Sequence, residues 1–175
     1  YTVHSGNVSL FERNEPAGRV LERLAEDGLT TPLVDSLSGS SGVKTASAAS
    51  DPIAPGASAE FTVTPDSDHK RLSIASMVVR SNDAFVAFPS SGLQLLDGDG
   101  NPRPVDELER EVRQHLGVWD AGTELNESIG NGIHQPYFTD EVDVGIPDSE
   151  VSGVERYGGS RSEEHTSELQ SPSAI

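Results

Sequence analysis

Two short runs of this sequence set carboxylates among small residues, the pattern that suits a hard cation. Trp119-Asp120-Ala121-Gly122-Thr123-Glu124 carries two acids separated by three small residues. Such a segment can curl until both carboxylates and its own carbonyls face one point, and Ca2+ takes about six to eight such oxygens at about 2.3–2.6 Å. Taken alone, the spacing also describes a solvated turn. Asp97-Gly98-Asp99-Gly100-Asn101 begins like an EF-hand loop, but Pro102 and Leu108 stand where that loop needs Gly and Glu. A β-turn rich in Gly and Asp is the better reading there. A third acid, Asp83, lies in the turn Ser81-Asn82-Asp83 between two predicted strands. If those strands fold side by side, Asp83 meets Asp120 and Glu124 at one edge. Three carboxylates there repel one another strongly without a cation.

Other chemistry has less to stand on. His4, His69, His115 and His134 are scattered without HxxxH spacing and read as ordinary surface or loop histidines. No GxSxG elbow or P-loop occurs. The absence of Cys removes disulfide scaffolds, thiol nucleophiles and thiolate metal sites. Asn7-Val8-Ser9 and Asn126-Glu127-Ser128 match the glycosylation sequon, a match that chance supplies often. Trp119 reads as a core or rim anchor beside its turn.

The elements that position the acids follow from periodicity. Tyr1 to Phe11 alternates weakly, as a strand or an extended entry. Glu15-Pro16 opens a helix with Pro at its first position, Val20, Leu21, Leu24 and Ala25 form its apolar stripe, and Gly28 closes it. Thr31-Pro32 starts a second short helix through Leu37. Ser38 to Gly56, rich in Ser, Gly, Ala and Pro, is a loop. From Ala59 the period becomes two, with Phe61 and Val63 alternating with polar residues in one strand. Leu72 to Val79 gives a second strand, Phe85 to Phe88 a third and Leu93 to Leu96 a fourth. Leu108, Val112 and Leu116 fit a helix, whereas Val112, Leu116 and Val118 fit a strand. We read a short helical or loop start and a strand from about Glu111 into the Asp120 turn. Beyond Glu124 the anchors are Ile133, Tyr137, Phe138, Val142, Val144 and Ile146. The pattern predicts a mainly all-β fold, an antiparallel β-sandwich with one or two short helices near the N-terminus.

The 175 residues carry 29 acids and 12 Lys plus Arg, a net charge of -17. That balance argues against binding nucleic acid or anionic lipid by bulk charge. No apolar run approaches the roughly 20 residues of a membrane span. Arg161 to Ser171, RSEEHTSELQS, resembles the in-frame translation of a short-read sequencing adapter, and residues 161–175 are set aside as a non-native tail. That tail holds three Glu and one Arg, leaving -15 for the rest. The expected organisation is one domain over 1–150, incomplete at both ends, then a linker or truncated strand over 151–160.

Two motifs resemble the spondin N-terminal domain family. Ser76-Met77-Val78-Val79-Arg80-Ser81-Asn82-Asp83-Ala84-Phe85-Val86 is similar to that family's Ser-Met strand running into Pro-Asp-Trp-Phe. Trp119-Asp120-Ala121-Gly122-Thr123-Glu124 is similar to its Trp-Asp-Ala-Gly-Thr-Asp. The opening HSGNVSLF and the helix ending ERLAEDG look like bacterial members, so the likeness covers roughly residues 3–135. The chain departs from the pattern at Asn82 for Pro, Ala84 for Trp and Glu124 for the second Asp, and Asp97 to Arg113 lengthens the interval between motifs. The resemblance implies an extracellular β-sandwich with one calcium at the loop end, its acidic ligands falling on Asp83, Asp120 and Glu124.

The expected function is therefore a non-enzymatic, secreted or cell-surface module. It binds a protein or a cell-surface or matrix glycan, with Ca2+ structural and no nucleic acid or membrane insertion. The alternative is a metal-dependent hydrolase using the same acids, with His115 or His134 as the nearest base by sequence.

Overall fold

The computed structural model describes residues 1–89, 91–128, 130–136, 145 and 153–158. Eleven elements follow in chain order: β1 (Thr2–His4), α1 (Arg19–Asp27), α2 (Thr30–Ser38), β2 (Val43–Ala46), β3 (Arg71–Ser73), β4 (Ala75–Met77), β5 (Ala84–Ala87), β6 (Leu93–Gln94), α3 (Val105–His115), β7 (Gly117–Asp120) and β8 (Glu155–Arg156). The strands form two four-stranded antiparallel sheets, ordered β2-β1-β3-β6 and β4-β5-β7-β8. The fold is mainly β and sandwich-like, as the strand spacing predicts. The anchors Tyr137, Phe138, Val142, Val144 and Ile146, and the tail 161–175, lie outside the described residues.

The second sheet carries the candidate site, and α1 covers it. Leu21, Leu24 and Ala25 fall on one stripe of α1 and pack with Phe11, Phe85, Ala87, Trp119, Ala121 and Val154. Phe11 meets the Phe85 ring edge-on at 5.4 Å and the Trp119 ring at 4.9 Å, the offset geometry that aromatic quadrupoles favour. Trp119 is the expected core anchor. It is buried, its Nε1–H donates to the Ala87 carbonyl at 3.1 Å, and the Arg156 guanidinium lies 4.9 Å from its ring centre. Gly28 ends α1 in the left-handed conformation, φ 68°, and its N–H donates to the Leu24 carbonyl at 3.1 Å.

Six expectations need correction. Ser38 to Gly56 is not all loop, because Val43–Ala46 within it forms β2 alongside β1. His4, expected at the surface or in a loop, is fully buried in β1. The first helix begins at Arg19 behind Gly18, so Glu15-Pro16 lies upstream of it. Ala59 to Thr64 alternates like a strand but joins neither sheet, and Phe61 instead stacks on Tyr1 at 4.4 Å. Strand formation needs a partner at the right distance, and alternation alone does not supply one. The strand expected over Leu72 to Val79 is divided at Ile74, so β3 and β4 belong to different sheets. The strand expected from Glu111 into the Asp120 turn starts only at Gly117, as β7, because Glu111 to His115 is the end of α3, a third helix. Asp106 and Glu107 sit in its first turn, Arg113 and His115 in its last, in favourable register with the helix dipole. Arg103 reaches back with a bidentate pair to Glu111, 2.9 Å each, and a contact to Glu107 at 3.3 Å.

Candidate metal centre

Hairpin geometry sets the first acid. Ser81 closes the turn between β4 and β5 by donating its hydroxyl to the Val78 carbonyl at 2.6 Å while accepting the Ala84 N–H at 3.1 Å. This delivers Asp83 to the head of β5. In the β5–β7 ladder Ala84 faces Asp120, and the Ala121 N–H donates to the Asp83 carbonyl at 3.2 Å. The two acid turns are therefore adjacent, as the side-by-side arrangement requires.

Asp83 is fully buried and organises the second turn. Its Oδ2 accepts the Thr123 N–H at 2.8 Å, the Thr123 hydroxyl at 3.2 Å and the Glu124 N–H at 3.2 Å. Asp120 Oδ1 accepts the Gly122 N–H at 2.8 Å, and Oδ2 accepts the Asn126 amide at 2.5 Å. Gly122 takes φ 70°, which a side chain would resist, and this is how the run between the acids curls. Glu124 is buried, and its carboxylate rests against Gly145, where an added Cβ would collide with it.

Electrostatics at this end are unbalanced. No ion pair reaches Asp83 or Asp120 among the described residues. Burial first, and the Asp120 charge second, push the Asp83 carboxyl up to about 6, against the pull of the Thr123 and Glu124 N–H groups. The other oxygen, Asp83 Oδ1, is buried and accepts no hydrogen bond from the described residues, and the same holds for Asn126 Oδ1. Among the described residues no three His, Asp or Glu side chains converge as a ready metal cage. The structure thus brings Asp83 and Asp120 together and ties the Glu124 backbone to Asp83.

Sequence reasoning missed three neighbours. Glu26, in the last turn of α1, is buried, and burial, with smaller contributions from the Glu22, Asp83 and Asp27 charges, pushes its carboxyl up to about 7. An acid at the end of a helix, where the dipole disfavours it, was the readable signal. β8 pairs with β7 at Asp120, and in Tyr157 just beyond it burial and then the Asp120 and Asp83 charges push the phenol up. Asn82 clasps the next loop. Its Oδ1 accepts the Glu127 N–H at 3.0 Å and its Nδ2 donates to the Glu127 carboxylate at 3.2 Å. Replacing Asn82 by Ala is expected to cost about 1–2 kcal/mol, two hydrogen bonds at a buried position. A lowered denaturant midpoint with unchanged slope checks it.

The remaining candidates fall elsewhere. His134 is engaged by the Glu127 carboxylate, with Nδ1 at 3.2 Å, and His115 is exposed at the end of α3. The Asp97 run is a turn. Its carboxylate accepts the Asp99 N–H at 2.9 Å and the Asn101 N–H at 2.8 Å, while Lys70 Nζ donates to the Asp97 and Gly98 carbonyls at 3.3 and 3.4 Å. Asn7 is exposed, whereas the Asn126 amide is held by Asp120.

A sandwich-like pair of sheets with acids at the β5–β7 loop end defines the class of this chain. The family model Spondin_N matches residues 2–135, and the chain belongs to the spondin N-terminal domain family. No curated protein matches it. Among the described residues no helix is long and apolar enough to cross a membrane.

Proposed function

We propose that this chain is an extracellular, calcium-binding β-sandwich module for adhesion or surface interaction, in which the ion is structural and nothing is catalysed. One observation carries the reading: among the described residues two adjacent buried acids, Asp83 and Asp120, have no basic partner, and Asp83 Oδ1 is left without a donor. Leaving a buried acceptor unmet costs about 1–3 kcal/mol, and more when it is charged. A hard divalent ion relieves both costs at once. The donor set fits calcium in kind, since every candidate atom is oxygen. Asp83, Asp120 and Glu124 would hold the ion, and Asn126 Oδ1 is a further buried acceptor beside them. Bound calcium offsets the carboxylate charges and so orders the loop end. The chain's own residues do the rest: Gly122 curls the turn, Ser81 fixes Asp83, and Asn82 holds the adjoining loop. The surface served would be a protein or a cell-surface or matrix glycan.

The test is a calorimetric titration of the whole chain with calcium after chelation. A single saturable event is expected, with a stabilisation of about 2.7 kcal/mol at a hundredfold excess over Kd. Asp120→Asn should abolish both heat and stabilisation. A wild-type chain that melts identically in calcium and in chelator would remove the metal from this account.

A further inference from the structure

Residues 153–157 run between two parts of the chain that are far apart in sequence and fasten them together. On one side Val154 bridges Arg13 in parallel: its N–H donates to the Glu15 carbonyl at 2.9 Å, and its carbonyl accepts the Asn14 N–H at 2.9 Å. On the other side β8 pairs antiparallel with β7, Arg156 opposite Trp119 and Glu155 opposite Asp120. The Tyr157 N–H donates to the Val118 carbonyl at 3.1 Å. Side chains seat the segment as well. Val154 is fully buried in the core that holds Phe11 and Trp119. The Arg156 guanidinium covers the Trp119 ring and fills the space beside Gly117, where an added Cβ would collide with it. One position opposes this fit. Residues directly opposite in an antiparallel pair hold their Cβ atoms about 4.5–5.5 Å apart, and like charges there are destabilising. Asp120 and Glu155 are such a pair, and among the described residues no ion pair reaches either. A cation held at Asp120 turns that opposition into attraction.

We propose that residues 153–157 are a strap whose hold on β7 is set by the charge at Asp120: Glu155 loosens it in the metal-free chain, and a cation at the acid turn fastens it. An ion at the loop end thereby also secures residues 13–15, through Val154, and keeps Arg156 over Trp119. This coupling rests on the calcium reading of Asp120 and adds to it the element through which the ion acts on the rest of the sheet.

Amide hydrogen exchange of the whole chain at pH 7 reads the strap at the Val154 and Tyr157 N–H groups. In chelator, Glu155→Gln should slow both about two- to fivefold, the size of one relieved cross-strand pair, while β1 and β3 amides are unmoved. Arg156→Ala should speed both by a similar factor and open Trp119, the only tryptophan, to acrylamide quenching. In wild type, calcium should slow the strap amides beyond any change in β1 and β3. In Glu155→Gln that excess should shrink by the same factor. Four results would overturn the proposal: exchange in chelator unchanged or faster in Glu155→Gln, slowing shared equally by β1 and β3, wild-type exchange in Arg156→Ala, or an equal calcium excess with and without Glu155. Calorimetric titration of the same samples separates the two claims. A chain that binds calcium with an unresponsive strap loses the coupling alone, whereas a wild type that binds none loses the ion and the coupling together.

Discussion

Asp83→Asn should abolish the calcium response and, in the same protein, make the metal-free chain more stable at neutral pH. The two effects have one origin. Asparagine can turn its single oxygen toward the Thr123 and Glu124 donors that Asp83 Oδ2 now accepts. Its amide then occupies the place of Asp83 Oδ1, the oxygen without a donor. The turn is kept, the charge is gone, and N–H groups stand where a cation would need a lone pair. Affinity should fall at least about a hundredfold, since ligand charge and supporting contacts set calcium affinity. In chelator, removing a buried charge that lacks a counter-ion should stabilise the chain by about 1–3 kcal/mol. Melts of wild type and variant, each in calcium and in chelator, give all four values. A variant less stable than wild type in chelator would show that Asp83 is compensated in the metal-free chain.

The second large effect is on pH dependence. Burial holds the Asp83 carboxyl up at about 6 and the Glu26 carboxyl up at about 7, above their ordinary values of 3.8 and 4.5. A carboxyl raised in the folded state binds its proton more tightly there than in the unfolded chain. Its stabilising contribution is complete below the ordinary carboxyl range and is lost as pH rises through 6 to 7. These two acids should therefore make the metal-free chain lose stability from about pH 4 to about pH 7. For Asp83 the loss, spread over about pH 4 to 6, is on the order of 3 kcal/mol, from a shift of about two units. For a chain of this size that is roughly 6–12 °C in Tm. His4 opposes the trend: its ring is buried between the Ser5 carbonyl and the Ser73 hydroxyl, and burial holds its pKa down, so protonation below pH 6.5 is disfavoured. Subtracting the Asp83→Asn profile removes that contribution, because His4 is common to both chains. Calcium should flatten the wild-type slope by taking the proton's place. A wild-type profile that shows no slope relative to Asp83→Asn between about pH 4 and 6, or one that rises with pH after the subtraction, would count against the buried acids as described.

Local chemistry made part of this molecule readable in advance. Gly28 ends α1 because only a left-handed residue closes that turn without strain, and the sequence prints Gly there. The Phe85 strand and the two acid turns were legible because each is set by neighbours a few residues away. What escaped was decided at long range. Ala59 to Thr64 has the alternation of a strand, yet no neighbouring strand pairs with it. Val112 and Leu116 belong to a helical set with Leu108 and to a strand set with Val118, and the Arg103 clasp to Glu107 and Glu111 favours the helix. The division at Ile74 leaves no local mark, since β3 and β4 are each apolar enough to continue the other. Glu26 escaped for a related reason: a charge in a helix reads as solvated until something covers it.

The α3 helix buries no residue, and its ties to the body run through Arg103 and the neighbouring β6. It spans part of the interval between the two acid turns, yet those turns are brought together by the pairing of β5 with β7, to which α3 contributes no strand. The exposed face of α3 is accordingly open to substitution by the engineer. Arg113, with 70% of its side chain exposed, offers a position for a fluorophore or a tether that leaves the acid turns untouched.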